Sequence, residues 1–225
     1  MKTISLSNVA IIAGFGLLLM VLTVPFAEFY IFPKLISENS ENTANNIVTN
    51  KMLFTVSIFL HFITLICDII VAWALYVFLK PVQQSISLLT AWFRIIYTAM
   101  YLVALVNLIK ILTIINHSEN TEFVNFSDNV AFYISSFKLE WSFGLMIFGI
   151  YLFLLGYLVY KAIYIPKIFG ILLIIAGLGY LVHTLGAFLF PEINLDFLFF
   201  TFFGELVFMV WLLVKGRNIS TNSSS

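Results

Sequence analysis

Six long apolar runs, separated by polar joints, organise the chain. They cover residues 8–32, 52–79, 85–115, 131–160, 168–190 and 195–214. A helix needs about 20 apolar residues to cross a hydrocarbon layer roughly 30 Å thick. Each run reaches that length. The second, third and fourth exceed it, which predicts tilt or extension into the interface. The runs are continuously apolar and do not alternate, so the pattern is not that of a β-barrel. Backbone groups in lipid must be paired internally, and each run is therefore read as a helix. The expected architecture is an all-α, polytopic membrane bundle of six transmembrane helices. It forms one domain over residues 1–217, followed by a polar, disordered tail over 218–225. A signal peptide is the rival reading of the first run, with Lys2 before it and a cut after Pro25-Phe26-Ala27. The length of the run argues against it, as does the lack of a second small residue before the cut.

The joints set an orientation. Lys2, Lys80, Lys161, Lys167, Lys215 and Arg217 fall on one side. Lys34 and Lys51 fall on the other, among Glu38, Glu41, Glu119, Glu122, Asp128, Glu192 and Asp196. The positive-inside rule then places the N and C termini in the cytoplasm. The outer joints, 33–50 and 116–130, are the long ones. The second mixes Phe123, Phe126 and Val130 with acids and asparagines, which predicts an interfacial helical stretch leading into the fourth span.

Composition agrees with the pattern. The chain is 62% apolar and 10% charged, with 25 phenylalanines. A mean hydropathy of +1.06 over 225 residues is too high for one soluble core. The net charge is zero, which gives no reason to expect nucleic acid as a partner. The expected partner is the lipid bilayer. Cys67 is the one cysteine, so it has no intrachain disulfide partner and no zinc-ligand spacing around it. No cofactor or metal is assigned.

Ionisable residues within a span are costly, and each raises a question of function. Ser57, His61, Thr64 and Asp68 share one face of the second span. Thr90, Arg94, Thr98 and Tyr101 do the same on the third. The turn between these spans is short, so they are expected to be antiparallel neighbours. Asp68 lies fourteen residues before Val82 and Arg94 twelve after it. At about 1.5 Å per residue, their depths agree within about 3 Å, which predicts an ion pair. Such a pair serves as a structural clasp or as one wall of a site.

The fifth span carries Ala176, Gly179, His183 and Gly186 on one stripe, where small residues favour close helix approach. His183 is therefore expected to point inward. In the sixth span, Glu205 follows Gly204 and lies ten residues from Lys215, about 15 Å from the cytoplasmic end. Two layers are expected. Asp68, Arg94 and Glu205 form the inner one, with one acid in surplus. A buried surplus carboxyl takes up a proton or finds a cation. Glu28, His61 and His183 form the outer layer. Two histidines at one depth suit metal or haem, but hydrogen-bonded core histidines are the plainer reading, since no third ligand has a recognisable spacing. There is no G-x-S-x-G elbow, no H-E-x-x-H pair and no phosphate loop.

The run Leu75-Tyr76-Val77-Phe78-Leu79-Lys80-Pro81-Val82 precedes Leu88-Leu89-Thr90-Ala91-Trp92-Phe93-Arg94-Ile95-Ile96-Tyr97. Later come Ile165-Pro166-Lys167-Ile168-Phe169-Gly170, Gly204-Glu205-Leu206 and Trp211-Leu212-Leu213-Val214-Lys215-Gly216. Over nearly its whole length the chain thereby resembles the bacterial membrane proteins of domain-of-unknown-function family 4386. The Trp-Phe-Arg and Ile-Pro-Lys segments are the most specific parts. The resemblance implies a multi-pass protein of the bacterial cell (inner) membrane, with Asp68, Arg94 and Glu205 on positions of the family pattern. At His183 an acid is more usual, which weakens a metal or haem role there. The resemblance implies no activity.

Three functions follow as expectations. The first is an integral membrane protein with a polar cavity that binds or moves a small solute or protons. The second is a non-catalytic structural protein or partner subunit whose charges only lock helices together. The third, an intramembrane enzyme with Glu205 or His183 as acid or base, ranks last because no nucleophile or metal cluster accompanies them.

Overall fold

A computed structural model describes residues 5–117, 125–190 and 192–216. The expected tail over 218–225 lies outside the described residues. So do Lys2, Arg217, and Glu119 and Glu122 of the second outer joint. All regular structure among the described residues is helical. The α-helices are α1 (Leu6–Pro25), α2 (Phe32–Leu35), α3 (Ser40–Thr49), α4 (Lys51–Leu79), α5 (Gln84–His117), α6 (Phe126–Lys161), α7 (Lys167–Leu189) and α8 (Phe203–Val214). A π-helical stretch, Phe26–Ile31, joins α1 to α2, and a 3-10 helix, Asp196–Phe202, leads into α8.

Five helical segments are long and apolar enough to cross a membrane: Leu6–Leu35, Lys51–Leu79, Gln84–Asn116, Phe126–Lys161 and Lys167–Leu189. The sixth apolar run begins differently from the helix expected. It opens as the 3-10 helix and becomes α-helical only at Phe203. The joint 33–50 is not simply a loop, because α3 lies within it. Asn39 caps α3, its Oδ1 accepting from the backbone N–H of Glu41 and Asn42 at 2.8 and 3.1 Å. A side-chain oxygen there satisfies donors that the helix itself leaves open. The fourth span starts at Phe126, five residues before the expected boundary.

The described chain falls into two compact units. The first comprises Met1–Leu19, Cys67–Thr98 and Phe143–Ser225. Within it, α6 and α7 approach through two reciprocal glycine pairs. A Cβ placed on Gly149 would lie 2.9 Å from the Gly177 carbonyl, and one on Gly177 would lie 2.7 Å from the Gly149 carbonyl. Gly156 and Gly170 repeat the arrangement at 2.7 Å in both directions. The pairs are seven residues apart on each helix, so they recur on the same face. Gly204 brings α8 equally close to α7, since a Cβ there would lie 2.6 Å from the Leu172 carbonyl. At the α6–α7 turn, the Tyr164 hydroxyl donates to the Phe78 carbonyl at 2.6 Å and fastens the turn to the end of α4. Burial pushes the Tyr164 phenol up from its ordinary value, so it remains a donor at any physiological pH.

The second unit comprises Met20–Ile66 and Ala99–Ser142. Thr23 and Thr64 bond across it at 2.8 Å. Asn107 donates to Glu140 at 2.8 Å and ties α5 to α6. Asn46 reaches the Leu35 carbonyl at 3.4 Å and holds α3 against α2.

Candidate functional site

The polar faces read from the sequence are buried. Ser57, His61, Thr64 and Asp68 on α4 are all sequestered, as are Thr90, Arg94, Thr98 and Tyr101 on α5. Each threonine returns its hydroxyl hydrogen to its own helix: Thr64 to Leu60, Thr90 to Ile86 and Thr98 to Arg94. This removes their donors from competition and leaves the ionisable groups to pair with one another.

The expected Asp68–Arg94 pair is formed. Both residues are 0% exposed. Arg94 donates from Nε at 2.9 Å and from Nη2 at 2.7 Å, both to the same oxygen, Asp68 Oδ1. Its remaining terminal nitrogen, Nη1, donates to the Tyr151 hydroxyl on α6 at 2.5 Å. The guanidinium also lies 4.8 Å from the Tyr151 ring and 5.6 Å from the Phe148 ring, near enough for cation–π attraction. Asp68 Oδ2 is buried and, among the described residues, has no hydrogen-bond partner. The carboxylate is thus half used, which leaves a buried acceptor beside a bound cation. A void of about 10 Å³ adjoins Tyr151 and is lined mostly by apolar side chains, among them Ala72, Leu75, Leu155 and Leu158.

Glu205 belongs to the same unit. It occupies the first turn of α8, where backbone N–H groups favour a negative charge. It is partly buried. Its carboxyl is hydrogen-bonded to the Tyr180 hydroxyl and lies within electrostatic reach of Asp68 and Arg94. The close contacts of Gly204 with Leu172 and of Gly179 with Thr201 bring the two elements together beside Glu205 and Tyr180. The Tyr180 ring meets Phe148 edge-on at 5.5 Å, and Phe148 in turn flanks Arg94. Phe148, Tyr151 and Tyr180 are not among the residues that the sequence pattern singles out.

Glu28 and His61 meet in the second unit. Glu28 Oε1 is 3.3 Å from His61 Nε2. His183 belongs to the first unit. It is only partly buried, whereas its neighbour Thr184 is fully buried. The inward stripe on α7 therefore runs through Ala176, Gly179 and Gly186 but includes His183 only at its edge. Among the described residues, no three His, Cys, Asp or Glu side chains gather as metal ligands.

The family model described as Domain of unknown function (DUF4386) matches residues 12–216, a range that holds every one of these groups. The chain belongs to the DUF4386 family. A protein of Archaeoglobus fulgidus, described as an uncharacterized protein, is 40% identical over 159 residues, covering 71% of this chain and 83% of that one. No solved structure matches the chain. For this DUF4386 member, the geometry of the two clusters is accordingly the ground for any functional reading.

Proposed function

We propose that this protein is a small integral membrane protein in which the Glu205 carboxyl binds and releases a proton, coupled to the movement of protons or of a small solute. The observation that carries the reading is the charge inventory around Arg94. One cation faces two acids, Asp68 and Glu205, and Asp68 already takes two of its N–H groups. Glu205 is the acid left over, and a surplus charge in a poor solvent is neutralised most readily by a proton. Tyr180 supplies a hydroxyl that can donate to the ionised carboxylate or accept from the protonated form.

The test is proton movement in vesicles reconstituted with the full chain. Under an inside-negative potential, the parent protein should acidify the lumen faster than lipid alone, and Glu205→Gln should remove the difference. Parent vesicles that behave like empty ones, or a Gln variant as active as the parent, would overturn the reading. A second reading is a structural protein or partner subunit. The complete burial of Asp68 and Arg94, with Tyr151 closing the pair, favours it, because a clasp of this kind needs no access to water.

In the same reading the protein crosses the bacterial cell membrane six times, with both termini inside. The 3-10 helix supports the sixth crossing. Its seven residues rise about 2.0 Å each, against about 1.5 Å in the twelve residues of α8. The two segments together reach about 30 Å, the thickness of the hydrocarbon core. The native Cys67 is buried, so introduced cysteines can be read against a quiet background. Cysteine at Asn42 should react with an impermeant reagent outside intact cells, and cysteine at Ser223 should not. Equal or reversed labelling would refute the topology.

A further inference from the structure

Glu28 reaches His61 because the helix that carries it changes pitch. Pro25 has no N–H to give to the Val21 carbonyl, and the chain widens at once into the π-helical stretch Phe26–Ile31. The Phe32 N–H closes this stretch on the Ala27 carbonyl. Single π turns are rare and gather at functional sites, because they re-aim side chains that a regular helix would point elsewhere. Here the re-aimed side chain is Glu28.

His61 itself is 0% exposed, while the Glu28 side chain retains 20% of its surface. The other ring nitrogen, Nδ1, is hydrogen-bonded to the Tyr101 hydroxyl. Four aromatic rings surround the imidazole, with centroids at 5.8 Å for Phe32, 5.8 Å for Tyr101, 5.4 Å for Phe137 and 6.0 Å for Trp141. Tyr101 is held in place by stacking on Trp141 at 5.3 Å. The approach of Nε2 to Glu28 Oε1 is not aligned as a hydrogen bond, and among the described residues neither of these buried atoms has a hydrogen-bond partner. Two buried polar atoms thus face each other with an unmet demand.

We propose that Glu28, His61 and Tyr101 form a proton-binding site in the second unit, supplied through the partly exposed Glu28 carboxyl. A neutral imidazole carries one ring hydrogen. If it lies on Nδ1, Nε2 turns a lone pair toward a carboxylate. If it lies on Nε2, the Tyr101 hydroxyl donates to Nδ1. The imidazolium carries both hydrogens, one toward Glu28 and one toward the Tyr101 oxygen. Addition of one proton from water therefore forms one N–H bond and takes the Glu28–His61 pair from a net charge of −1 to zero. It breaks no contact, since the Tyr101 hydroxyl can turn from donor to acceptor.

Each element around the imidazole contributes a known group. The π-helical stretch supplies Glu28, α2 supplies Phe32, α5 supplies Tyr101, and α6 supplies the uncharged Phe137 and Trp141. The other charges on these elements are engaged elsewhere or exposed. Glu140 accepts from Asn107, Lys34 lies over Tyr30, Lys110 lies over Tyr133, and Lys138 is exposed. On α4, Lys51 is exposed, and Asp68 and its α5 partner Arg94 belong to the first unit.

Solid-state nitrogen NMR of the full chain in bilayers, labelled at histidine, tests it. His61 is assigned by the loss of its signal in His61→Gln or, if that variant does not fold, by transfer from the Trp141 ring. Over a pH series the His61 signal should report both the neutral and the charged imidazole. Glu28→Gln, which removes the compensating charge at a partly exposed position, should require at least about tenfold more protons for the same charged fraction. A single protonation state across that series, or a transition unmoved by Glu28→Gln, would overturn the proposal. The readout is an imidazole nitrogen, so failure here and failure at Glu205 remain distinguishable.

Discussion

Asp68→Asn alone and Arg94→Gln alone are each expected to lose about 3–5 kcal/mol of stability, and the double variant to regain much of that loss. Both side chains are fully buried, and the Arg94 guanidinium places two of its nitrogens on one Asp68 oxygen. Without Asp68, the guanidinium loses the carboxylate that takes two of its nitrogens and keeps the Tyr151 phenol, aromatic faces and the Glu205 carboxyl within electrostatic reach. Without Arg94, Asp68 loses every donor it has in this arrangement, since Oδ2 is already unpartnered. The double variant strands no charge. Reversible unfolding of the parent and the three variants in one detergent measures the coupling. A double variant no more stable than the weaker single one would show that the two charges act independently.

The outline of this pair was legible because an acid and a base stood out in apolar runs. Position along the helix fixed their depths, and helical spacing fixed the faces they share with Ser57, His61, Thr64, Thr90, Thr98 and Tyr101. The residues that complete the site were not legible in the same way. Tyr151 and Tyr180 are two of ten tyrosines, and Phe148 is one of 25 phenylalanines. Aromatic residues are common in any span, so nothing in their spacing marks the ones that meet Arg94 or Glu205. The Glu28–His61 contact depends on a π-helical stretch, and regular 3.6-residue periodicity gives no warning of one beyond the presence of Pro25. Polarity gave away the ionisable core of each cluster and Tyr101 beside it, while the other rings packed around them came only from tertiary structure.

Glycines show the same division. The stripe through Ala176, Gly179 and Gly186 is buried as expected. The tightest α6–α7 contacts, however, are Gly149 with Gly177 and Gly156 with Gly170, and their pairing depends on which helices become neighbours. Gly204 was legible as a site of close approach, and α7 is the partner that approaches it. The change from 3-10 to α-helix at Phe203 was not. It places Glu205 in a first helical turn, with a favourable backbone environment for its charge, where a continuous helix would have placed it near the middle.

Glu205→Gln is expected to abolish a titrating carboxyl signal altogether. The residue is the surplus acid beside a paired Asp68 and Arg94, and its one identified hydrogen-bond partner, Tyr180, carries no charge that could hold it permanently ionised. Carboxyl exchange at this position is the central claim, and infrared titration of the parent against the variant reads it without assuming a cargo. The expected result is a protonated-carboxyl band in the parent that appears and disappears between about pH 5 and 9 and is missing from Glu205→Gln. Identical spectra for the two proteins across that range would contradict it.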